Sequence, residues 1–85
     1  MSSKIFKALS DPTRLKIIEL LEKREICACK FAPLTKKAQP TVSQHLRILE
    51  TAGIIKSRKE GKMILYSMAD KRIFDLIKIA KKVSK

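Results

Sequence analysis

The clearest alternation of hydrophobic and polar positions lies between Gln39 and Gly53. At about 3.6 residues per turn, Val42, Leu46 and Leu49 fall on one stripe, with His45 on its flank. The opposite face carries short polar and basic side chains: Pro40, Ser43, Gln44 and Arg47. Proline suits the first turn of a helix, and glycine suits the residue just after its end. The pattern therefore predicts an amphipathic helix with a hydrogen-bonding outer face.

Serine, glutamine and arginine side chains can read base edges, and the major groove of DNA admits one helix. The outer face of the predicted helix carries no acidic residue before Glu50. For this stretch alone, the alternative is an ordinary surface helix with a solvated face. The remaining elements bear on the choice between the two.

Three shorter helices are predicted before this one, over residues 4–9, 12–23 and 26–35. Asp11 and Pro12 supply an N-cap and a first-turn proline for the second helix. Pro33 limits the third helix, because a proline in a helix interior costs about 3 kcal/mol. Residues 36–38 then form the turn into the amphipathic helix.

The pattern changes after Gly53. Two β-branched or apolar runs, at residues 54–58 and 63–68, flank a charged turn that contains Gly61. This arrangement predicts a β-hairpin whose Arg58, Lys59 and Lys62 are placed to meet phosphate. The alternative is an ordinary solvated hairpin. A final helix is predicted to start near Ala69 and Asp70.

The order helix, helix, helix, helix, hairpin, helix indicates a mainly α protein with a β-hairpin wing. It is the order of a single winged helix-turn-helix domain over residues 1–85. The third and fourth helices form the helix-turn-helix, and the fourth helix reads DNA.

The charge of the chain favours a polyanionic partner. Twenty basic residues stand against eight acidic ones, which gives a formal net charge of +12. Such an excess predicts attraction to nucleic acid or to an anionic membrane surface. The chain has neither an apolar run near ~20 residues nor a signal-peptide pattern. We therefore expect a cytoplasmic protein that binds double-stranded DNA and no membrane.

Several motifs resemble the ArsR/SmtB family of small winged-helix repressors. They are LSDPTRLKII at residues 9–18, EICAC at 25–29, QPTVSQHLRIL at 39–49 and AGII at 52–55. The resemblance covers most of the chain and implies a homodimer that represses from an operator until an inducer arrives. It implies no enzymatic activity and no permanently bound cofactor.

The DNA-reading positions of the family map onto Gln39, Thr41, Ser43, Gln44 and Arg47. His45 also matches the motif; it either contacts a base or holds a hydrogen-bonded position beside the apolar stripe. The turn departs from the family pattern, because Lys36 and Lys37 stand where relatives usually carry a glycine and a leucine.

The resemblance also implies that the first and last helices form the dimer contact. The alternative is that their apolar residues belong to the core of the protomer. The residues concerned are Ile5, Phe6, Leu9, Ile73, Phe74, Leu76, Ile77 and Ala80.

Cys27 and Cys29 form a C-x-C pair. In a regular helix residues i and i+2 point about 200° apart, so a chelate there requires an unwound helix start. Soft ions prefer thiolates, and the family places cysteines that sense arsenic, cadmium or lead at this position. Three hypotheses follow: a site for an inducer such as arsenite, cadmium, lead or copper(I), a thiol redox switch, or two inert apolar residues.

The third cysteine that some relatives carry is replaced by Ala32. The zinc site that other relatives carry in the last helix is expected to be absent, because Arg72 replaces its histidine. A redox enzyme is disfavoured, since no C-x-x-C helix start or partner base is present. The other rival is a constitutive winged-helix DNA-binding protein without an inducer.

Overall fold

The computed structural model describes residues 3–83. Five helices and three strands make up the fold, with one turn of 3-10 helix at Ala28–Lys30. The helices are α1 (Ser3–Ala8), α2 (Pro12–Leu20), α3 (Phe31–Thr35), α4 (Gln39–Thr51) and α5 (Arg72–Val83). The strands are β1 (Ile26–Cys27), β2 (Ile55–Glu60) and β3 (Met63–Met68). The predicted winged helix-turn-helix order is confirmed, with one short strand added.

Strands β2 and β3 form the predicted hairpin, in which Ile55 lies opposite Met68 and Glu60 lies opposite Met63. Gly61 has a positive φ of 62°, a conformation that glycine adopts without steric cost. This tight turn fixes the register of the pair.

The predicted helix over residues 26–35 is wrong in its first half. Ile26 and Cys27 pair antiparallel with Tyr66 and Leu65, so that the sheet has the order β1-β3-β2. Pairing with the edge of β3 satisfies backbone groups that a helix start would leave open. The helix proper begins at Phe31, which places Pro33 in its first turn, where the ring is tolerated.

The core lies between α2, α3, α4 and the inner face of the sheet. Its largest fully buried side chains are Phe31, Ile17, Ile18, Leu46, Leu49, Ile54, Ile55 and Val42. The predicted stripe of α4 is therefore buried, and the face that carries Ser43 and Arg47 is exposed. The ring of Phe31 meets that of Tyr66 edge-on, with centroids 6.2 Å apart.

A corner of polar contacts holds α1, α2 and α4 together. The Asp11 carboxylate accepts from the backbone N–H groups of Thr13 (2.8 Å) and Arg14 (3.1 Å), which confirms the predicted N-cap. The Arg14 guanidinium donates to the carbonyl oxygens of Ala8 (2.7 Å) and Lys7 (3.2 Å) at the end of α1. Arg14 thereby fixes α1 against the start of α2.

Helix α3 ends at Thr35, and the next residue, Lys36, caps it with φ of 60° and ψ of 30°, in the left-handed region. Glycine adopts this conformation readily, whereas a side chain costs about 1–2 kcal/mol. The turn of the helix-turn-helix is thus tight and carries strain at Lys36. Within residues 3–83, no helix has the length and apolarity needed to cross a membrane.

Candidate nucleic-acid interface and thiol pair

The outer face of α4 is an exposed polar surface, which we call the reader face. Pro40, Ser43, Gln44 and Arg47 are all exposed and surround one open concavity of about 330 Å³. None of these side chains is part of the hydrophobic core, so a ligand could contact them without disturbing the packing. Together they offer hydroxyl, amide and guanidinium groups within one turn and a half of helix, which is the chemistry that reads base edges.

The first turn of α4 completes this surface. Gln39 and Thr41 are exposed, and the Gln39 amide donates to the Ser43 hydroxyl at 3.3 Å. This turn contains no acidic residue. The free N–H groups and the helix dipole at the N-terminus therefore present a positive end to an approaching phosphate.

His45 lies apart from the reader face. Its side chain is 16% exposed, and its Nδ1 accepts from Arg14 Nη1 at 3.1 Å. Its Nε2 lies 3.9 Å from Asp11 Oδ2. Because arginine only donates, Nδ1 is unprotonated in this arrangement. Of the two roles considered for His45, this geometry matches the hydrogen-bonded position rather than base contact.

The wing carries basic side chains in two different situations. Lys59 and Lys62 are exposed near its tip. Arg58 instead forms a bidentate pair with Glu25, with both N–O distances at 2.8 Å, and a further contact to Glu60 at 3.3 Å. The neighbouring guanidinium lowers the pKa of the Glu25 carboxyl. Arg58 is therefore neutralised by carboxylates in this structure, which the sequence prediction of a free phosphate contact did not foresee.

Two side-chain links tie the sheet to the elements around it. Glu25 directly precedes β1, so its pair with Arg58 joins the thiol segment to the wing. The Ser57 hydroxyl donates to Glu50 at 2.9 Å and joins the wing to the last turns of α4. A displacement at β1 thus has a short path to the wing and, through Ser57 and Glu50, to α4.

The thiol pair is preorganised, contrary to the helical expectation. Cys27 ends β1 and is 9% exposed, whereas Cys29 lies in the 3-10 turn and is exposed. Their Sγ atoms are 3.0 Å apart. Because this segment is a strand followed by a 3-10 turn, both sulfurs point to one place without any unwinding of a helix.

The two thiols titrate differently because they share a hydrogen bond. The contact with Cys29 lowers the pKa of the Cys27 thiol, and nearby backbone N–H groups and Lys30 act in the same direction. The same contact raises the pKa of the Cys29 thiol, with burial adding to the effect. The thiolate of the pair therefore forms first on Cys27.

A soft ion would find two sulfur donors here. Among residues 3–83, no group of three or more His, Cys, Asp or Glu side chains could hold a metal ion. Two ligands about 2.3 Å from a tetrahedral ion stand roughly 3.7 Å apart, so the thiols would separate by several tenths of an ångström on binding. Within the described residues, the pair therefore offers two thiolate ligands and no third.

The residues predicted for dimerisation divide into two groups. Ile73 is 8% exposed and belongs to the core of the protomer, because it faces inward. Ile5, Leu9, Phe74 and Ile77 are half-buried and pack against that core. The outward set retains Phe6, which is 56% exposed, with Leu76 and Ala80.

The prediction missed Ile79 and Val83, which are 61% and 81% exposed. With Leu76 they form a second apolar stripe on α5, at spacings of three and four residues. That spacing was present in the sequence. Phe6, Leu9, Leu15, Leu76 and Ile77 also line an open groove of about 380 Å³ between α1, α2 and α5.

The sequence matches a family of transcriptional regulators. Residues 11–57 match the model of the family described as bacterial regulatory protein, arsR family. An uncharacterized HTH-type transcriptional regulator of Methanocaldococcus jannaschii is 49% identical over 79 residues, covering 92% of this chain and 89% of that protein.

Two further relatives have names that mention a metal or metalloid. A cadmium resistance transcriptional regulatory protein CadC homolog of Staphylococcus aureus is 44% identical over 79 residues, which is 92% of this chain and 65% of that protein. The arsenical resistance operon repressor of Escherichia coli is 39% identical over 66 residues, covering 76% of this chain and 56% of that protein. This chain therefore spans a little over half to two thirds of these longer relatives.

Among solved structures, the solution structure of a Mycobacterium bovis domain superposes with a TM-score of 0.85 at 29% identity. The match covers 94% of this chain and 77% of that one. It is described as a homodimeric winged helix-turn-helix DNA-binding domain of a possible ArsR-family transcriptional regulator.

Proposed function

We propose that this chain, which belongs to the arsR family of bacterial regulatory proteins, is a homodimeric repressor that binds operator DNA and is released by a thiophilic ion. Family membership makes it a DNA-binding transcriptional regulator and not an enzyme, as the sequence predicted. The site residues, the dimer contact and the inducer are the proposed part.

The single observation that carries the DNA proposal is the reader face. Ser43, Gln44 and Arg47 are exposed on a helix whose opposite stripe is fully buried. The core therefore fixes the helix in position, while the outer side chains remain available for base edges. Gln39 and Thr41 extend the face, and Lys59 and Lys62 of the wing supply phosphate contacts.

The dimer proposal rests on the outward apolar surface of α1 and α5. Phe6, Ile79 and Val83 are large, apolar and more than half exposed. Exposed apolar surface of this kind marks an interaction site on a small protein. A symmetric contact through α1 and α5 would cover it and present two reader faces. The M. bovis domain with the same fold is described as homodimeric, which supports a symmetric pair.

Selection of bound duplexes from a random-sequence pool tests the DNA proposal. We expect the selected sequences to be palindromic, with half-sites one helical turn or a multiple of it apart. The variant Ser43→Ala, Gln44→Ala should enrich a different or weaker consensus, since each lost base contact costs about 1–3 kcal/mol. Failure of the parent protein to enrich any duplex would remove the DNA proposal.

The inducer proposal rests on the Cys27 and Cys29 sulfurs, which are 3.0 Å apart. Arsenite, cadmium, lead and copper(I) all prefer thiolate ligands. The names of the S. aureus and E. coli relatives, which concern cadmium and arsenicals, support a member of this class. Further ligands would come from solvent, a small thiol or the partner subunit.

Ion binding would act through the segments that carry the thiols. Separating the two sulfurs moves the end of β1 against β3 and the 3-10 turn against α3. These segments adjoin the wing and the helix-turn-helix. If the dimer conformation with lower DNA affinity binds the ion more tightly, ion binding would shift the protein toward that conformation and release the DNA.

Titration of the protein–duplex complex with each of the four ions tests this step. We expect at least one ion to weaken DNA binding by about five- to 150-fold, the usual range of coupling between two sites. The variant Cys27→Ser, Cys29→Ser should bind the duplex as the parent does and no longer respond. Equal release of parent and variant would contradict the thiol assignment.

A redox switch is a second candidate, because the same 3.0 Å separation favours a disulfide. Oxidation of the two thiols by a peroxide would form one S–S bond, with the two hydrogens leaving in water. The sulfurs would have to approach by about 1 Å to reach bonding distance. Release of DNA by hydrogen peroxide, with loss of two hydrogens from the parent mass and recovery in dithiothreitol, would favour this candidate over the ion.

A further inference from the structure

We infer that α1 forms a second DNA-contacting surface, in which Lys4 and Lys7 bind backbone phosphates beside the segment that the reader face occupies. This inference rests on the proposed function and adds a partner contact that the helix-turn-helix and wing do not supply. It assigns a role to two basic residues of a helix otherwise expected only to dimerise.

The first observation is an open groove of about 450 Å³ between α1 and α4. Its lining includes Lys4, Lys7, Arg14 and Arg47 around Ile48 and Thr51. No acidic side chain among residues 3–83 contributes to this lining. Arg14 is held by the carbonyl oxygens of α1 and by His45, whereas neither lysine forms an ion pair with a described side chain. Four basic side chains and no acidic one therefore line the groove.

The second observation is continuity with the reader face. Arg47 lines both the reader-face concavity and the groove. Thr51 lies one turn beyond Arg47 on the same side of α4, and Ile48, which is 37% exposed, lies beside them. The groove therefore extends the reader face toward the end of α4 rather than forming a separate site.

The orientation of a recognition helix indicates that the groove between α1 and α4 would meet the phosphate backbone of the DNA. From Pro40 to Thr51, α4 extends about 16 Å at about 1.5 Å per residue. A recognition helix contacts bases with its N-terminal residues, so its C-terminal end lies away from the base edges. The last turn of α4 therefore stands at the edge of the major groove, where Lys4 and Lys7 meet phosphate oxygens.

The two faces of α1 are compatible with this role. Lys4 and Lys7 are one turn apart and point toward α4. Phe6 lies between them in sequence and lines the opposite groove against α5. Helix α1 would thus contribute an apolar side to the dimer and a cationic side to DNA.

The salt dependence of binding tests the inference. The full chain and its variants are titrated onto a selected duplex by fluorescence anisotropy at several salt concentrations. Each phosphate contact contributes about 0.9 to the slope of log K against log salt, so Lys4→Gln, Lys7→Gln in both subunits should reduce the slope by about 3 to 4. The variant Lys4→Arg, Lys7→Arg should keep the parent slope.

A matched control removes the same charge elsewhere. Lys23 and Lys71 line a groove between the α2–β1 connection and the end of β3, and no residue of α4 contributes to it. Lys23→Gln, Lys71→Gln should change the slope of log K against log salt by less than about 0.9, the contribution of one phosphate contact. Circular dichroism and thermal unfolding confirm that all variants are folded.

A slope for Lys4→Gln, Lys7→Gln equal to that of the control would overturn the inference and leave the reader-face proposal intact. A parent protein that binds no duplex would instead remove the proposed function, and the inference with it. The two failures are therefore separable.

Discussion

Lys36 occupies a position at which the backbone conformation favours glycine. The sequence shows a lysine where the family usually has a glycine, and the structure gives the physical reason: φ is 60°. Among residues 3–83, Lys36 is the one non-glycine residue with positive φ. Its side chain therefore faces a steric penalty that glycine would not.

We expect Lys36→Gly to stabilise the protein by about 0.5–1 kcal/mol, because relief of left-handed strain exceeds the entropy that glycine adds to the unfolded chain. Urea denaturation measures the difference. Lys37→Gly, which removes the same charge at a neighbouring position without positive φ, should instead destabilise. If the two variants unfold at the same urea concentration, backbone strain at Lys36 is not significant.

Local chemistry was sufficient to predict several single-residue roles. The N-cap of Asp11, the turn at Gly61 and the buried positions of α4 follow from propensity and periodicity alone. The partners of Arg14, Arg58 and His45 could not be predicted, because they lie up to 33 residues away in sequence. A long basic side chain looks the same in sequence whether it meets phosphate or a carboxylate.

At the scale of elements, the short strand β1 was missed for a related reason. Two residues are too few for a period, and Ile26 and Cys27 become a strand only because β3 offers its edge to them. This single error changes the thiol chemistry. A helix would separate the two sulfurs, whereas the strand and 3-10 turn bring them to 3.0 Å.

The pair between Glu25 and Arg58 is the link between β1 and the wing. Its partners are 37% and 51% exposed, so its contribution to stability is small. We expect a larger effect on DNA binding, because Glu25 would compete with a phosphate for the guanidinium. We expect Glu25→Gln to tighten DNA binding and to steepen the salt slope by about 0.9 per subunit.

Glu22→Gln is the matched control, since it removes an exposed acidic charge from the same connection. It should shift binding only through the general rise in positive charge, without a comparable change in slope. A Glu25→Gln variant indistinguishable from Glu22→Gln would mean that Arg58 makes no phosphate contact when freed.

At the scale of the whole molecule, the proposed DNA contacts and the proposed dimer contact use different residues of the chain. The basic residues proposed to meet DNA lie on the reader face, the wing and the cationic side of α1, while further lysines lie on α5. The exposed apolar residues Phe6, Ile79 and Val83 lie on α1 and α5. A symmetric pair through α1 and α5 would bury these apolar residues and place two reader faces along one duplex.

The sequence predicted a polyanionic partner from the net charge, the order of the helices, and an apolar face on the last helix. It did not separate the two apolar stripes of α5, because Ile73 and Ile79 are equally hydrophobic and only packing distinguishes the buried one. Ile73 is buried in the core, whereas Ile79 is exposed on the outer side of α5.

The central claim is that two copies of the reader face meet one duplex. Hydroxyl-radical footprinting on a selected duplex tests it most directly, with Phe6→Asp, Ile79→Asp as a variant that opposes dimerisation. We predict two protected segments about one helical turn apart on one side of the DNA for the parent, and their loss in the variant at the same protein concentration. A single protected segment, or a paired footprint that the variant preserves, would contradict the account.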